Sequence, residues 1–313
     1  MIRIADKITV LFTDGIWALD TSGATKGYAR LVKLVKLIRI TVDSFSRNRM
    51  GFQCIALSYF VMMALIPFVA FLFAVTGGLG LSDVVSELLF TLFPANPEFV
   101  DTMMEKANGL LTVAKGGLPG LISFLVFLWA IIWMMFQVET VFNNVWGIRK
   151  IPRKLYKRFG FYIIVLLFSP LVVILFGAGI AFYTNATNLF GLDLSDLGFF
   201  PKALGYLCFY VFSVFTMSAM FAWIPATKVE YRNALKSAMI TAFVFLVFQY
   251  LYLETQMFVG KLSMAYGVIA AIPLFLIWLN YSWQIIIYGA ELTFGFQNLD
   301  KYNAPEWDSE NSR

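Results

Sequence analysis

Six long apolar stretches restrict what this chain can fold into more than any other feature. They cover residues 54–76, 118–137, 159–183, 204–224, 238–257 and 268–290. A helix that crosses a bilayer needs about 20 predominantly apolar residues. In lipid the backbone must satisfy its own hydrogen bonds, and a helix does so within one segment. The sequence therefore predicts an all-α protein, a polytopic transmembrane helix bundle with six spans.

The low share of charged residues supports the same class. Only 14% of residues are charged and 60% are hydrophobic, whereas a soluble domain carries about 25% charged residues. The net charge of +5 comes from basic residues at the ends of the apolar stretches. That placement indicates membrane topology and contact with anionic lipid headgroups. We therefore expect membrane lipids as partners, and no nucleic acid.

The connections between the apolar stretches alternate in charge. The segment before the first stretch is basic, the connection 77–117 is acidic, and the connection after the second stretch is basic again. The connection after the third stretch is acidic, the one after the fourth is basic, and the short one after the fifth carries Lys261. Positive charge collects on the cytoplasmic side of membrane proteins, so both termini are predicted to be cytoplasmic. The basic connection after the second stretch contains Arg149, Lys150, Arg153, Lys154, Lys157 and Arg158.

This topology divides the chain into three parts: a cytoplasmic region 1–50, a membrane domain 51–296 and a cytoplasmic tail 297–313. The connection 77–117 is predicted to be extracytoplasmic. It contains an apolar patch over 84–93 and a predicted helix over 98–114, so a small cap or a re-entrant element is possible. Residues 300–313 are acidic and predicted to be disordered. Residues 1–27 lack the long apolar segment of a cleavable signal peptide.

A basic amphipathic helix is predicted immediately before the first span. Apolar side chains recur at helical spacing, with basic side chains opposite. Such a helix can lie in the lipid headgroup region or pack on the inner loops of the bundle, and the sequence favours neither. The apolar face contains Leu31, Leu34, Val35, Ile38, Val42 and Phe45, and the basic face contains Lys26, Arg30 and Lys33.

Several kinds of chemistry have no support in the sequence. The chain has no histidine, which removes the commonest general base and metal ligand. Cys54 and Cys208 form no metal-like pair, and no phosphate-binding Gly-Lys loop occurs. We therefore expect no catalytic residues, no cofactor and no metal.

A narrow polar stripe is predicted on the sixth span. At about 100° per residue, five side chains fall within about 60° of one another. Polar residues inside a bilayer usually face the bundle interior or a cavity. The stripe could line a hydrophilic path for a substrate, or it could hydrogen-bond to neighbouring helices. Its members are Pro273, Asn280, Gln284, Tyr288 and Glu291.

Two carboxylates stand apart from this stripe. Glu254 lies toward the outer end of the fifth span and Glu139 at the inner end of the second. Both are isolated in the sequence, and either could couple transport to protons or anchor its helix at the interface. Pro67 and Pro273 lie in mid-span, where proline frees a backbone carbonyl and tends to kink the helix.

Three stretches of this chain resemble the YihY/virulence factor BrkB family of bacterial membrane proteins. The first is ALSYF at 56–60 with IPF at 66–68, and the second is VWGIR at 145–149. The third is AYGVIAAIPLFLIW at 265–278, followed by YGAEL at 288–292. The resemblance covers about 26–296 and implies six spans with cytoplasmic termini in the bacterial inner membrane. Family members have often carried the label ribonuclease BN, but a zinc-dependent ribonuclease needs histidines that this chain lacks.

The resemblance suggests transport, export or a part in envelope integrity, without an agreed substrate. Our leading hypothesis is a secondary transporter, exporter or lipid-handling protein whose path follows the stripe on the sixth span. Tyr266 and Gly267 would belong to this path, with Ser58, Tyr59 and Pro67 opposite, and Glu254 as a further candidate. The alternative is a non-transporting scaffold for envelope assembly. Oligomerisation is possible for either.

Overall fold

The computed structural model describes residues 25–78, 82–92, 97–114, 117–148, 153–184, 188–189, 192–193, 200–262 and 267–299. Within these ranges the protein is helical except for one pair of two-residue antiparallel strands. The elements are α1 (Lys26–Arg47), α2 (Met50–Gly78), α3 (Ser82–Leu92), α4 (Pro97–Ala114), α5 (Gly117–Val145), α6 (Leu155–Thr184), β1 (Asn188–Leu189), β2 (Leu192–Asp193), α7 (Phe200–Trp223), α8 (Tyr231–Leu262) and α9 (Gly267–Asn298).

Each of the six predicted spans falls in one of these helices, and the fourth extends one residue past the end of α7. Among the described residues, three helices are long and apolar enough to cross a membrane: Met50–Ala74 in α2, Gly205–Trp223 in α7 and Tyr231–Gln256 in α8. The other predicted spans lie in α5, α6 and α9, and they remain predictions as membrane crossings. Both α2 and α9 continue through their internal prolines, Pro67 and Pro273.

Two apolar cores hold the helices together. The larger one lies at the end of the bundle that carries the basic connections, where α1, α2, α5, α7, α8 and α9 meet. The smaller one lies toward the other end, where α2, α3, α4 and α9 meet. The larger core includes Ile40, Leu57, Phe142, Phe221, Ala238 and Ile287, and the smaller core includes Val69, Leu72, Val85, Val100, Met103 and Phe275.

The outward surface of the bundle is apolar over long distances. Large hydrophobic side chains on α5, α6 and α7 are more than half exposed, among them Trp129, Leu167, Phe168 and Phe215. Soluble monomers rarely expose such continuous apolar surface, whereas helices surrounded by lipid require it. The surface therefore agrees with the apolar sequence of these helices.

Helix α1 packs on the bundle through a different face from the one that its apolar periodicity indicates. Leu37, Ile40 and Ser44 are buried, and the Leu37 side chain lies against Gly295 of α9. The predicted apolar face is open instead, with Leu34 57% and Ile38 52% exposed. The expectation that packing on the bundle would bury this face is wrong, since Leu37, Ile40 and Ser44 on the other side of α1 make the contact.

The connection 77–117 contributes to the smaller core. The helix predicted over 98–114 is present as α4, and the apolar patch at 84–93 lies largely within α3. Val85 and Leu89 of α3 and Met103 of α4 are buried against α2 and α9. This connection is therefore an integral layer of the bundle. The acidic tail 300–313 lies outside the described residues.

Candidate functional site

The described residues contain no group of three or more His, Cys, Asp or Glu side chains able to hold a metal. The candidate site is therefore the set of polar side chains that the fold places inside an otherwise apolar bundle. These side chains concentrate on the second half of α9 and on the helices packed around it.

Helix α9 can approach its neighbours closely because Gly289 has no side chain. A Cβ built at this position would lie 2.3 Å from Thr241 Oγ1 of α8 and 2.6 Å from Phe221 Cζ of α7. One turn further, the hydroxyls of Ser237 and Thr293 hydrogen-bond across the same contact. This close packing fixes which face of α9 points toward α7 and α8.

The polar stripe predicted on the sixth span is not uniform in its environment. Asn280 and Gln284 are half-buried and bond to each other, with Gln284 Nε2 donating to Asn280 Oδ1 at 2.6 Å. Tyr288 is 38% exposed and stacks on Phe45 of α1, the ring centroids being 3.8 Å apart. Pro273 is exposed. The stripe thus passes from exposed and half-buried side chains to a fully buried end.

That buried end is Glu291. The residue is 0% exposed, and neither carboxyl oxygen has a hydrogen-bond partner of acceptable geometry among the described residues. Ser44, Arg47 and Asn48, at the end of α1, lie beside the carboxyl group. An unpaired charge in such surroundings is costly, so this carboxyl is unusual within the bundle.

A chain of amide side chains connects this position to two other helices. Asn48 Nδ2 donates to Ser44 Oγ at 3.3 Å, and Gln53 Nε2 of α2 donates to the Asn48 carbonyl at 2.8 Å. Asn144 Nδ2 of α5 donates to Gln53 Oε1 at 2.9 Å. The polar surroundings of Glu291 are therefore held in place by α1, α2 and α5 together.

Glu139 is part of a second polar cluster, and the prediction that it is isolated is wrong. Its carboxylate, 2% exposed, accepts a hydrogen bond of 2.7 Å from Arg158 Nε and another from the Tyr162 hydroxyl. Arg153 Nη1 lies 3.7 Å from its other oxygen. The guanidinium of Arg158 also lies over the Phe136 ring, 4.5 Å from the centroid. Burial alone would lower the pKa of Arg158, but the hydrogen bonds and charge of Glu139 hold it above its ordinary value.

Arg153 connects this cluster to the end of α7. Its guanidinium donates to the carbonyl oxygens of Trp223, Ile224 and Pro225, at 3.2, 3.2 and 2.6 Å. These carbonyls lie where α7 ends and have no further helical turn to bond with. The basic connection that indicated topology in the sequence therefore also ties α5, α6 and α7 together.

The VWGIR stretch forms the end of α5. Gly147 has a φ of 67°, and the Ile148 and Gly147 amides donate to the carbonyls of Asn143 and Asn144. This is the Schellman arrangement, in which glycine supplies the left-handed residue. The Asn143 side chain then accepts from the Ala226 amide at 2.7 Å, so the end of α5 also contacts the segment after α7.

We expect Gly147→Ala to lower the stability of the bundle by about 1–2 kcal/mol, because a Cβ disfavours this left-handed conformation. The measurement is the thermal unfolding of the purified protein in detergent micelles. Gly109→Ala is the matched control, since Gly109 lies inside α4 and an added Cβ meets no atom within 4 Å. An equal loss in both variants would contradict the assigned role of Gly147.

The remaining predicted path residues differ in their environments. Ser58 is buried, and its hydroxyl donates to the Cys54 carbonyl in the same helix. Tyr59 is 58% exposed, and Pro67 is half-buried. Glu254 is exposed on α8, where it interacts with Tyr250. Tyr266 lies outside the described residues, and Gly267 is the first residue of α9.

Sequence reasoning missed the residues that interact between helices. The sequence indicates Arg153 and Arg158 only as topological charges, and Gly289 only as part of a motif. A signal was available for the arginines, since a carboxylate near the end of a span is usually paired. Ser44 and Asn48 gave no comparable signal, because their importance depends on which face of α1 meets α9.

An all-helical fold with membrane-length apolar helices and an apolar outer surface defines an integral membrane protein. The sequence profile of the virulence factor BrkB family matches residues 41–312. The chain belongs to this family, as the three stretches of resemblance indicated.

Relatives with curated descriptions support the same class. The chain is 28% identical over 268 residues to a UPF0761 membrane protein of Pseudomonas paraeruginosa, covering 82% of this chain and 62% of that protein. A UPF0761 membrane protein of Cronobacter sakazakii is 26% identical over 277 residues, with 84% and 88% covered. The chain thus spans less than two thirds of the Pseudomonas relative. No solved structure matches it.

Proposed function

We propose that this integral membrane protein is a secondary transporter, exporter or lipid-handling protein of the bacterial inner membrane, and not an enzyme. The observation that carries the proposal is the polar run on α9, where Asn280 and Gln284 are half-buried, Tyr288 is 38% exposed and Glu291 is fully buried. Polar and ionisable residues at such depth usually face a pathway or a cavity. The substrate is a small molecule or a lipid.

The topology belongs to the same proposal. Six spans with both termini in the cytoplasm place the basic cluster around Glu139 and the end of α9 on the cytoplasmic side, beside anionic headgroups. The substrate path would then lead from Glu291 toward the exposed Pro273. Pairing between Asn280 and Gln284 leaves each amide with further hydrogen-bonding capacity for a substrate.

The test is cysteine accessibility along α9 in membrane vesicles. We expect Asn280→Cys, Gln284→Cys and Tyr288→Cys to react with a water-soluble maleimide, because water reaches the proposed path. Two control positions should stay unlabelled, Ile277→Cys because it is 52% exposed on the apolar surface, and Leu279→Cys because it is buried.

All of these variants would be made in a background with Cys54→Ser and Cys208→Ser, since both native cysteines are free. Absence of labelling at 280, 284 and 288 in membranes, with full labelling after the membrane is dissolved in detergent, would mean that the helices are packed without a water-accessible path. The transport proposal would then fail.

The scaffold alternative is favoured by one observation, the acidic outer face of α3 and α4, where Asp83, Glu98, Asp101 and Glu105 are exposed. Deleting the connection 77–117 would not test the scaffold function, because α3 and α4 bury apolar side chains against α2 and α9 and the bundle would lose part of its core. Charge reversal at Asp101 and Glu105 leaves that core intact. Loss of function from this change, with α9 accessibility unaltered, would favour a scaffold.

A further inference from the structure

The carboxyl group of Glu291 is fully buried without the close charge pairing found at Glu139. It is 0% exposed, and neither oxygen accepts a hydrogen bond of acceptable geometry among the described residues, although Ser44 and Asn48 lie beside the group. Glu139, the other fully buried carboxylate among the described residues, is paired with Arg158 and Tyr162. An ionised carboxylate without such partners is strongly disfavoured, whereas the protonated acid is neutral and needs far less compensation.

The groups around the carboxyl come mainly from the end of α1. Ser44 and Asn48 lie beside it, and Arg47 is the charged group that acts on it among the described residues. Tyr288, one turn earlier on α9, interacts with Glu291 and also with Cys54 of α2. Tyr288 and Cys54 are both uncharged at neutral pH, so neither stabilises an ionised carboxylate.

Helix α1 covers this position. Its Phe45 ring stacks on Tyr288, and its Leu37 side chain contacts α9 so closely that a Cβ on Gly295 would lie 2.9 Å from Leu37 Cδ1. Between α1 and α2, Arg49 has a φ of 50°, which marks a sharp turn in the chain. The cover of Glu291 is thus a separate helix attached to the bundle through a short junction.

We propose that Glu291 is a proton-binding site of the transport cycle, protonated while α1 lies on α9 and deprotonated when α1 moves away. The proton leaves a carboxyl oxygen for water on the side where α1 lies. The resulting carboxylate is then compensated by water and by the nearby Arg47 guanidinium. This inference rests on the proposed transport function and names protons as the coupling ion.

The first test measures the protonation state in the full chain reconstituted in lipid. Infrared spectroscopy detects the C=O stretch of a protonated carboxyl. At neutral pH we expect this band in the unmodified protein, its loss in Glu291→Gln, and its retention in the matched control Glu254→Gln, which replaces an exposed carboxylate. An unchanged band in Glu291→Gln would overturn the proposal.

The second test measures the movement of α1. Ser44→Cys, at a buried position, is placed in the background without native cysteines and labelled with a water-soluble maleimide at several pH values. Each rate is divided by that of Lys33→Cys, an exposed site on the same helix, because thiol reactivity itself depends on pH. We expect the ratio to rise by up to about tenfold for each pH unit as the pH approaches the ionisation of Glu291, to level off above it, and to stay constant in Glu291→Gln.

A constant ratio in the protein with Glu291 intact would overturn the link between proton binding and α1. The two proposals fail separately. If cysteines along the stripe react but the infrared band is unaffected by Glu291→Gln, the proposed path is supported and the proton-binding site at Glu291 is not. If no cysteine along the stripe is labelled, the transport proposal fails, and the role of Glu291 in a transport cycle fails with it.

Discussion

Replacing Arg158 by methionine is expected to lower the stability of the protein by about 3–5 kcal/mol, the cost of leaving a buried charge without its partner. Arg158 Nε lies 2.7 Å from Glu139, whose side chain is 2% exposed. Arg153 remains at 3.7 Å, too far to replace that hydrogen bond. The measurement is the thermal unfolding of the purified protein in detergent micelles.

Two further variants separate loss of the charge pair from loss of packing. In Arg158→Met/Glu139→Gln the buried charge is removed together with its partner, so most of the stability should return. Asp43→Asn removes the exposed pair with Arg39 in α1 and should cost less than about 1 kcal/mol. If Arg158→Met were no more harmful than Asp43→Asn, the cluster around Glu139 would contribute little to stability.

Gly289→Ala is the second substitution with a large expected effect. The added Cβ would lie 2.3 Å from Thr241 Oγ1 and 2.6 Å from Phe221 Cζ, so α9 would have to move away from α7 and α8. Overpacking of this kind costs about 1–3 kcal/mol and occasionally more. We expect a lower unfolding temperature, and also altered cysteine accessibility along α9, because the helix face shifts.

The control for this prediction is Gly160→Ala in α6, where an added Cβ meets no atom within 4 Å. Thr241→Ala removes two of the three atoms that the new Cβ would meet, so the double variant should recover part of the lost stability. Full stability of Gly289→Ala by itself would show that α8 and α9 are less closely packed than the structure indicates.

The YGAEL stretch shows how a sequence motif acquires a physical explanation only from tertiary contacts. Tyr288 stacks on Phe45, Gly289 permits the approach of α8, and Ala290 and Glu291 are fully buried. In the sequence these residues could be placed on one helix and assigned a shared face. Their different environments depend on which helices surround α9, and no periodicity within α9 contains that information.

Glu139 and α1 show the same limit from two directions. The partners of Glu139 lie 14 to 23 positions further along the chain, at Arg153, Arg158 and Tyr162, and only tertiary packing brings them to it. For α1, apolar periodicity indicates a face suited to lipid, but α1 packs on the bundle through its opposite side. Both outcomes follow from packing between helices, which is decided by shape and not by hydropathy.

The sequence by itself determined the helical class, the apolar stretches within the helices and the family. These properties follow from local composition, because lipid requires long apolar segments and helices satisfy their backbone within one segment. Only the tertiary structure decided which polar side chains are paired and which are buried without partners. Hydropathy assigns each residue a preferred solvent, whereas the burial of Glu291 beneath α1 depends on contacts between segments more than 240 residues apart.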